Sequence, residues 1–349
     1  MTQLISGIQQ VGVGVRDART AWAWYRKTLG FNVPIFDDES EAKLMTRYTA
    51  NVVQSRHAVM ALNIAGGGGL EIWQFTSRQP QASAFVPRLG DIGILTIKIK
   101  APDLQVAHYQ LKDTLQSVSE IMQKPDGTPY FKFSDPHHNA FEMVTDASWF
   151  RPKDKVTGGV AGVTIGVSDV DAALKFYKDV LGIDQVVFDQ TGCFTDFGDL
   201  SRERFRRVLL QKNQQPHGAF SKLLGNIQIE LVQSLDYKPR KVFENRLWGD
   251  LGFIHLCFDA LDMDALKKRC EDANFAFTVD SADTFDMGQA AGRFAYIEDP
   301  DGTLIEFVET HKLPIFKKIG WYFNLKKRTS KKPLPDWMVR LLAMGSVKD

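Results

Sequence analysis

The sequence predicts an α+β protein, with four βαβββ modules pairing into two curved, cup-shaped mixed sheets and the helices outside. Three observations carry that expectation. Gly7–Phe31 (GIQQVGVGVRDARTAWAWYRKTLGF) and Gly159–Ile183 (GVAGVTIGVSDVDAALKFYKDVLGI) align without a gap at an offset of 152, and Gly7, Val11, Gly14, Val15, Asp17, Ala21, Tyr25, Leu29 and Gly30 all recur. Ile92–Leu104 (IGILTIKIKAPDL) and Leu251–Met263 (LGFIHLCFDALDM) share a strand-then-helix pattern at an offset of 159. Asp135–Glu142 (DPHHNAFE) and Asp299–Glu306 (DPDGTLIE) close a unit in the same way at an offset of 164. A unit with one helix covers one face of its sheet, so two units must pair to build a shared concave surface.

Taken in order, the units span about 6–77, 90–147, 158–235 and 250–310. Units one and three each read as a strand, an aspartate at a helix N-cap (Asp17, Asp169), an amphipathic helix and a stopping glycine (Gly30, Gly182). Gly69–Glu71 (GLE) and Gln228–Glu230 (QIE) match by role as closing strands. Unit four ends in the hairpin Ala295–Glu309, two β-type runs around a Glu-Asp-Pro-Asp-Gly turn. Pro80–Pro87 and Ser148–Thr157 read as linkers, and Arg202–Arg207 with Lys212–His217 as a polar excursion. This predicts an N-terminal domain at 1–150, a C-terminal domain at 151–310 and an extension at 311–349.

Composition is that of a globular protein: 44% apolar, 24% charged, net charge +1. That balance excludes nucleic acid as the main partner and leaves a small molecule as the expected one. The extension carries ten Lys/Arg against two Asp, a net of +8, so the first 310 residues sum to −7 (+1 − 8). Its alternating aromatic and basic residues predict either a docked segment or contact with an anionic membrane surface or acidic partner. Three unpatterned cysteines, no leader pattern and no long apolar run predict a reduced, cytoplasmic monomer or homodimer.

Strand alternation then picks out residues. Glu306 lies between Ile305 and Phe307 and so points to the opposite face. One such acid reads as a solvated strand residue; its recurrence at Glu71, Glu142 and Glu230 reads as cavity-facing. In the first strand Gln10, Gly12 and Gly14 share a face opposite Val11, Val13 and Val15, which suits a cavity floor. Gly12, Gly14 and Trp73, two beyond Glu71, are candidate substrate contacts. Lys98, two after Thr96, shares its inward face and is a candidate internal cation for Glu142 or Glu230.

QQVGVGVRDARTAWAWYRKTLGF, GFIHLCFDALDM and YIEDPDGTLIEFVE make the chain resemble the vicinal oxygen chelate superfamily over residues 6–310. That superfamily holds glyoxalase I, methylmalonyl-CoA epimerase, extradiol dioxygenases and fosfomycin and bleomycin resistance proteins. The resemblance implies the glyoxalase fold and metal ligands from the first and closing strands of each unit. Carried over, these are Gln10 and Glu71, Thr96 and Glu142, Gly162 and Glu230, and His255 and Glu306.

Three pairings of units stay open, and pairing one with two gives Gln10, Glu71, Thr96 and Glu142. Pairing one with four gives Gln10, Glu71, His255 and Glu306, which resembles the ligand order of zinc-type glyoxalase I; we adopt it because it gathers every good ligand into one cup. Pairing three with four offers Glu230 as an alternative ligand beside His255 and Glu306. The resemblance implies a divalent ion (zinc, nickel, cobalt, manganese or iron), with Glu306 and Glu71 as candidate bases for proton transfer next to a carbonyl. The expected enzyme is an isomerase, epimerase or lyase; an Fe(II) dioxygenase and a sequestering resistance-type binding protein are alternatives. Positions where glutathione-using relatives place arginines fall here on Gly14 and Leu251, so a glutathione adduct is not expected.

Overall fold

The computed structural model describes residues 2–212, 217–282, 285–286, 291–316, 321–325 and 332–347. Unit one runs β1 (Ile5–Gly14), α1 (Ala18–Leu29), β2 (Val33–Glu41), β3 (Ser55–Leu62) and β4 (Gly69–Phe75). Unit two follows with β5 (Gly93–Lys100), α2 (Leu104–Leu111), β6 (Met122–Gln123), β7 (Pro129–Ser134) and β8 (Ala140–Val144). Unit three has β9 (Val160–Gly166), α3 (Val170–Asp179), β10 (Gln185–Gly192), β11 (Phe205–Lys212), a short α4 (Ser221–Leu224) and β12 (Ile227–Ser234). Unit four has β13 (Gly252–Ala260), α5 (Met263–Asp272), β14 (Val279–Asp280), β15 (Phe285–Asp286), β16 (Ala291–Glu298) and β17 (Leu304–Phe316); β18 (Trp321–Asn324) and α6 (Asp336–Leu341) follow. Each of α1, α2, α3 and α5 begins on an aspartate (Asp17, Asp103, Asp169, Asp262) whose carboxylate accepts a backbone N–H of the first turn. Gly30 ends α1 in the left-handed region, at φ 73°.

The strands form two sheets. The first is ordered β14-β16-β17-β13-β1-β4-β3-β2, with β15 on β16 and β18 on β17, and combines units four and one. The second is ordered β10-β11-β12-β9-β5-β8-β7-β6 and combines units three and two. At each centre two first strands run antiparallel, β1 on β13 and β5 on β9. Each is flanked in parallel by its own unit's closing strand: β4, β17, β12 or β8. This arrangement is what turns the closing-strand acids toward the central pair.

One continuous apolar core, including Val11, Ile72, Phe141, Val163 and Phe307, joins the helix-covered faces of both sheets. Two matching bonds tie neighbouring units: the Tyr25 hydroxyl donates to Asp135 and the Tyr177 hydroxyl to Asp299. The opposite face of the first sheet is lined by Met45, Trp73, Trp248 and Tyr296, and that of the second by Phe194, Phe197 and Phe205. No helix among the described residues is long and apolar enough to cross a membrane.

The described end of the extension is docked. Leu334, Met338 and Val339 are buried against Val33, Met60 and Leu62 of unit one and Leu223 of unit three. The basic run 326–331 and part of the excursion, 213–216, lie outside the described residues. A chain ending at residue 331 is expected to lose on the order of 4 kcal/mol, from three apolar side chains returned to water. A urea melt whose midpoint stays in place would show that the docking contributes nothing.

Candidate metal centre

Gln10, Glu71, His255 and Glu306 meet in the first cup. Gly12 of β1 pairs with both His255 of β13 and Glu71 of β4, and Cys257 pairs with Glu306 of β17. Three adjacent strand pairs thereby bring four side chains of one face together. Ligand atoms of Glu71, His255 and Glu306 lie within 4.8 Å of one another. Gln10 Nε2 donates to Glu71 at 3.1 Å and reaches Glu306 at 3.4 Å. His255 Nε2 lies 3.3 Å from Glu71 and 3.1 Å from Glu306, aligned with neither, and both its ring nitrogens lack a hydrogen-bond partner. Gln10 Oε1 is likewise buried and unpartnered.

Burial alone would lower the pKa of His255, but the charges of Glu306 and Glu71 outweigh it and raise the imidazole to about 9. Burial would raise Glu71, and the close contact with His255 and its charge instead hold the carboxyl below the ordinary value. One imidazolium facing two buried carboxylates leaves a net negative charge, which a buried cluster does not hold without a further cation. A divalent ion with neutral imidazole, two carboxylates and an amide oxygen balances that charge, and it uses the orphaned Gln10 oxygen and one of the two orphaned His255 nitrogens. Gln10 must turn its amide over to present oxygen.

The glycines flanking this cluster, read from the sequence as candidate substrate contacts, have packing causes. A Cβ on Gly12 would sit 2.4 Å from His255 Cε1, so this glycine makes room for the imidazole. A Cβ on Gly14 would sit 2.0 Å from the Asp250 carbonyl oxygen, where unit four's backbone crosses β1. A Cβ on Gly166 would likewise sit 1.7 Å from the Asp91 carbonyl oxygen. Trp73 is fully buried, edge-on to Phe75 at 4.7 Å and to Trp248 at 4.6 Å.

Glu230 does not join His255 and Glu306, because β12 belongs to the second sheet; the grouping of units three and four is therefore corrected. In that second cup Lys98 Nζ lies 2.6 Å from both Glu142 and Glu230, and Lys124 Nζ lies 2.8 Å from both. Arg207 bonds Glu230 and also Asp196, the latter at 2.6 Å. Burial would raise Glu142, yet Lys124 and Lys98 hold it down to about 2. Two ammonium groups thus stand between the acids that correspond to Glu71 and Glu306. Thr96 and Gly162 remain in this cup without a ligand role, and a Cβ on Gly162 would strike the Gln228 carbonyl oxygen at 1.8 Å.

Four residues escaped the sequence reading. Tyr296 pairs across the hairpin with Glu306, and Trp248 stacks on His255 at 6.3 Å and 15°. Lys124 lies on two-residue β6, and Arg207, read as part of a polar excursion, faces inward from β11. Tyr296 was readable by counting across the EDPDG turn; the others gave no periodic signal.

The paired cups have the architecture of the glyoxalase-like fold. Residues 163–296, within units three and four, match the model of the Glyoxalase/Bleomycin resistance protein/Dioxygenase superfamily. Among solved structures, glyoxalase I from Zea mays is similar at 13% identity and a TM-score of 0.54, over 87% of this chain and 92% of that one. A putative dioxygenase from Bacillus subtilis subsp. subtilis str. 168 is similar at 14% identity and a TM-score of 0.56, over 88% of this chain and 86% of that one. At these identities the likeness is one of fold. No curated protein matches the sequence.

Proposed function

We propose that the chain is a cytoplasmic, metal-dependent enzyme of the glyoxalase type, transferring a proton next to a carbonyl of a small oxo or hydroxy compound. It would act as an isomerase, epimerase or lyase, and the substrate carries no glutathione. We take residues 1–150 and 151–310 as the two products of a duplication. The observation that carries the reading is the convergence of Glu71, His255 and Glu306 within 4.8 Å, with an orphaned Gln10 oxygen beside them. Its single imidazole sets this cluster apart from the two-histidine, one-carboxylate set of iron oxygenases.

A divalent ion held by Gln10, Glu71, His255 and Glu306 would supply the Lewis acid that polarises vicinal substrate oxygens. The chain's own part is positional. Glu71 and Glu306 lie on β4 and β17, on opposite sides of the β1–β13 pair, so each is a base for one face of the substrate carbon. Trp248 and Tyr296 pack against His255 and keep water from the imidazole. Dialysed protein analysed by plasma mass spectrometry is expected to retain about one divalent ion per chain, because the second cup holds its own ammonium groups. Glu306→Gln is expected to weaken retention about tenfold or more. Ion-free wild-type protein, or a variant with unaltered occupancy, would refute the reading.

A further inference from the structure

Units one and three repeat one pattern, and each covers its cup with a short 3₁₀ turn between its second and third strands. Lys43–Tyr48 does so in the first cup and Thr195–Leu200 in the second, again at an offset of 152 (195 − 43). Met45 is buried with Trp73, Trp248 and Tyr296, and Phe197 with Phe194 and Phe205. The backbone bonds match as well. The N–H groups of Met45 and Phe197 donate three residues back, to Ala42 and Phe194, and those of Thr49 and Ser201 donate in the same way to Thr46 and Gly198.

The fastenings differ. In the second cup the Asp196 carboxylate accepts from Arg207 and from the Tyr130 hydroxyl, both at 2.6 Å, and its carbonyl accepts from Lys132 at 2.8 Å. Breaking a buried ion pair of this kind is costly, so the segment stays down. The matching position in the first cup is Leu44, 46% exposed against 7% for Asp196. Segment 43–48 is held through Tyr48 instead. Its hydroxyl lies 2.7 Å from both Glu298 and Thr278 Oγ1, and its carbonyl accepts the Trp248 N–H at 3.0 Å. The pair of Arg47 with Glu298, at 3.7 Å and exposed, contributes little. Directly behind the segment Ala50 and Asn51 sit at φ 54° and 61°, left-handed conformations that side chains disfavour.

Gln10, Glu71, His255 and Glu306 are all buried, so an ion or a substrate enters only when part of the cover lifts. The cover from unit four is tied down: the Asp250 carboxylate accepts from Arg78, from the Gln81 N–H and from the Leu247 N–H. We propose that segment 43–48 is the gate of the first cup, latched by the Tyr48 hydroxyl on Glu298 and Thr278, and that segment 195–200 is the same element bolted shut by Asp196. What passes the gate rests on the ion reading above; the opening itself does not.

Amide hydrogen exchange on the full wild-type chain is expected to run about tenfold or more faster at Met45 and Thr49 than at Phe197 and Ser201, which donate equivalent bonds. Tyr48→Phe keeps the ring and removes the latch. It is expected to speed exchange at Met45 and Thr49 by a further factor of about ten and to leave Phe197 and Ser201 unchanged. On Mn(II)-loaded protein the same variant is expected to take up the ion and to release it to EDTA about tenfold faster at unchanged affinity, because a gate alters both rates alike. Equal wild-type exchange in the two segments would overturn the gate, and so would a Tyr48→Phe chain that exchanges like wild type. Weaker Mn(II) affinity with unaltered uptake would make Tyr48 a support of the ligands and not a latch. If Mn(II) is not retained, the ion reading falls, and the exchange comparison still decides the gate.

Discussion

Lys98→Met is expected to destabilise the chain by about 3–5 kcal/mol, the range for removing one partner from a buried ion pair. Lys98, Lys124 and Arg207 face Glu142, Glu230 and Asp196 in the second cup, three cations against three carboxylates. Methionine keeps the length and volume of the stem but strands one negative charge in a place where Lys98 is 0% exposed. The pair Lys98→Met with Glu142→Leu removes one charge of each sign, and apolar replacement of a buried pair is commonly close to neutral. The double variant should therefore recover most of the loss, a coupling read directly from urea midpoints in a double-mutant cycle. A single variant that loses less than about 1 kcal/mol would mean that the cup admits water and that the ion pairs are screened.

Asp259→Asn should raise stability at pH 8 by about 4 kcal/mol and leave it unchanged near pH 3. Asp259 is buried on β13 and accepts the Ser6 hydroxyl; burial lifts its carboxyl from 3.8 to about 7. Between those values the folded chain keeps a proton that the unfolded chain has released. Stability therefore falls as pH rises through that window and is flat above it. Asparagine keeps an acceptor for Ser6 and cannot ionise. Asp299, lifted by burial from 3.8 to about 6, adds a slope of the same sign that the variant retains. Parallel wild-type and variant curves from pH 4 to 8 would show that Asp259 titrates as an ordinary carboxylate.

Much of this architecture was readable because the chain repeats itself. Strand alternation around Ile305 and Phe307 aimed Glu306 correctly, and the recurrence of the pattern at Glu71, Glu142 and Glu230 marked the other closing strands. Which units share a sheet was not readable from alternation, since β1 could have paired with β5 as well as with β13; the chemistry of the ligands had to choose. Gly12 and Gly14 looked like a cavity floor because a missing side chain does not say what fills its place. The answers, an imidazole and a carbonyl from residues about 240 positions away (255 − 12, 250 − 14), are tertiary facts. Trp248 enters from an irregular connection and is fixed by its backbone N–H on the Tyr48 carbonyl, a bond that no strand or helix period announces.

The nested order of the units has a consequence for biosynthesis. The inner units close the Lys98 cup as soon as β12 has left the ribosome, whereas β1 must wait with one edge open for β13. Gly12 finds its partner His255 only 243 positions later (255 − 12). Loop-closure entropy grows only with the logarithm of that distance, so the delay is a matter of time more than of final stability. The cup that gathers Gln10, Glu71, His255 and Glu306 thus assembles after the Lys98 cup, and whatever it holds can be captured only once β17 has been made.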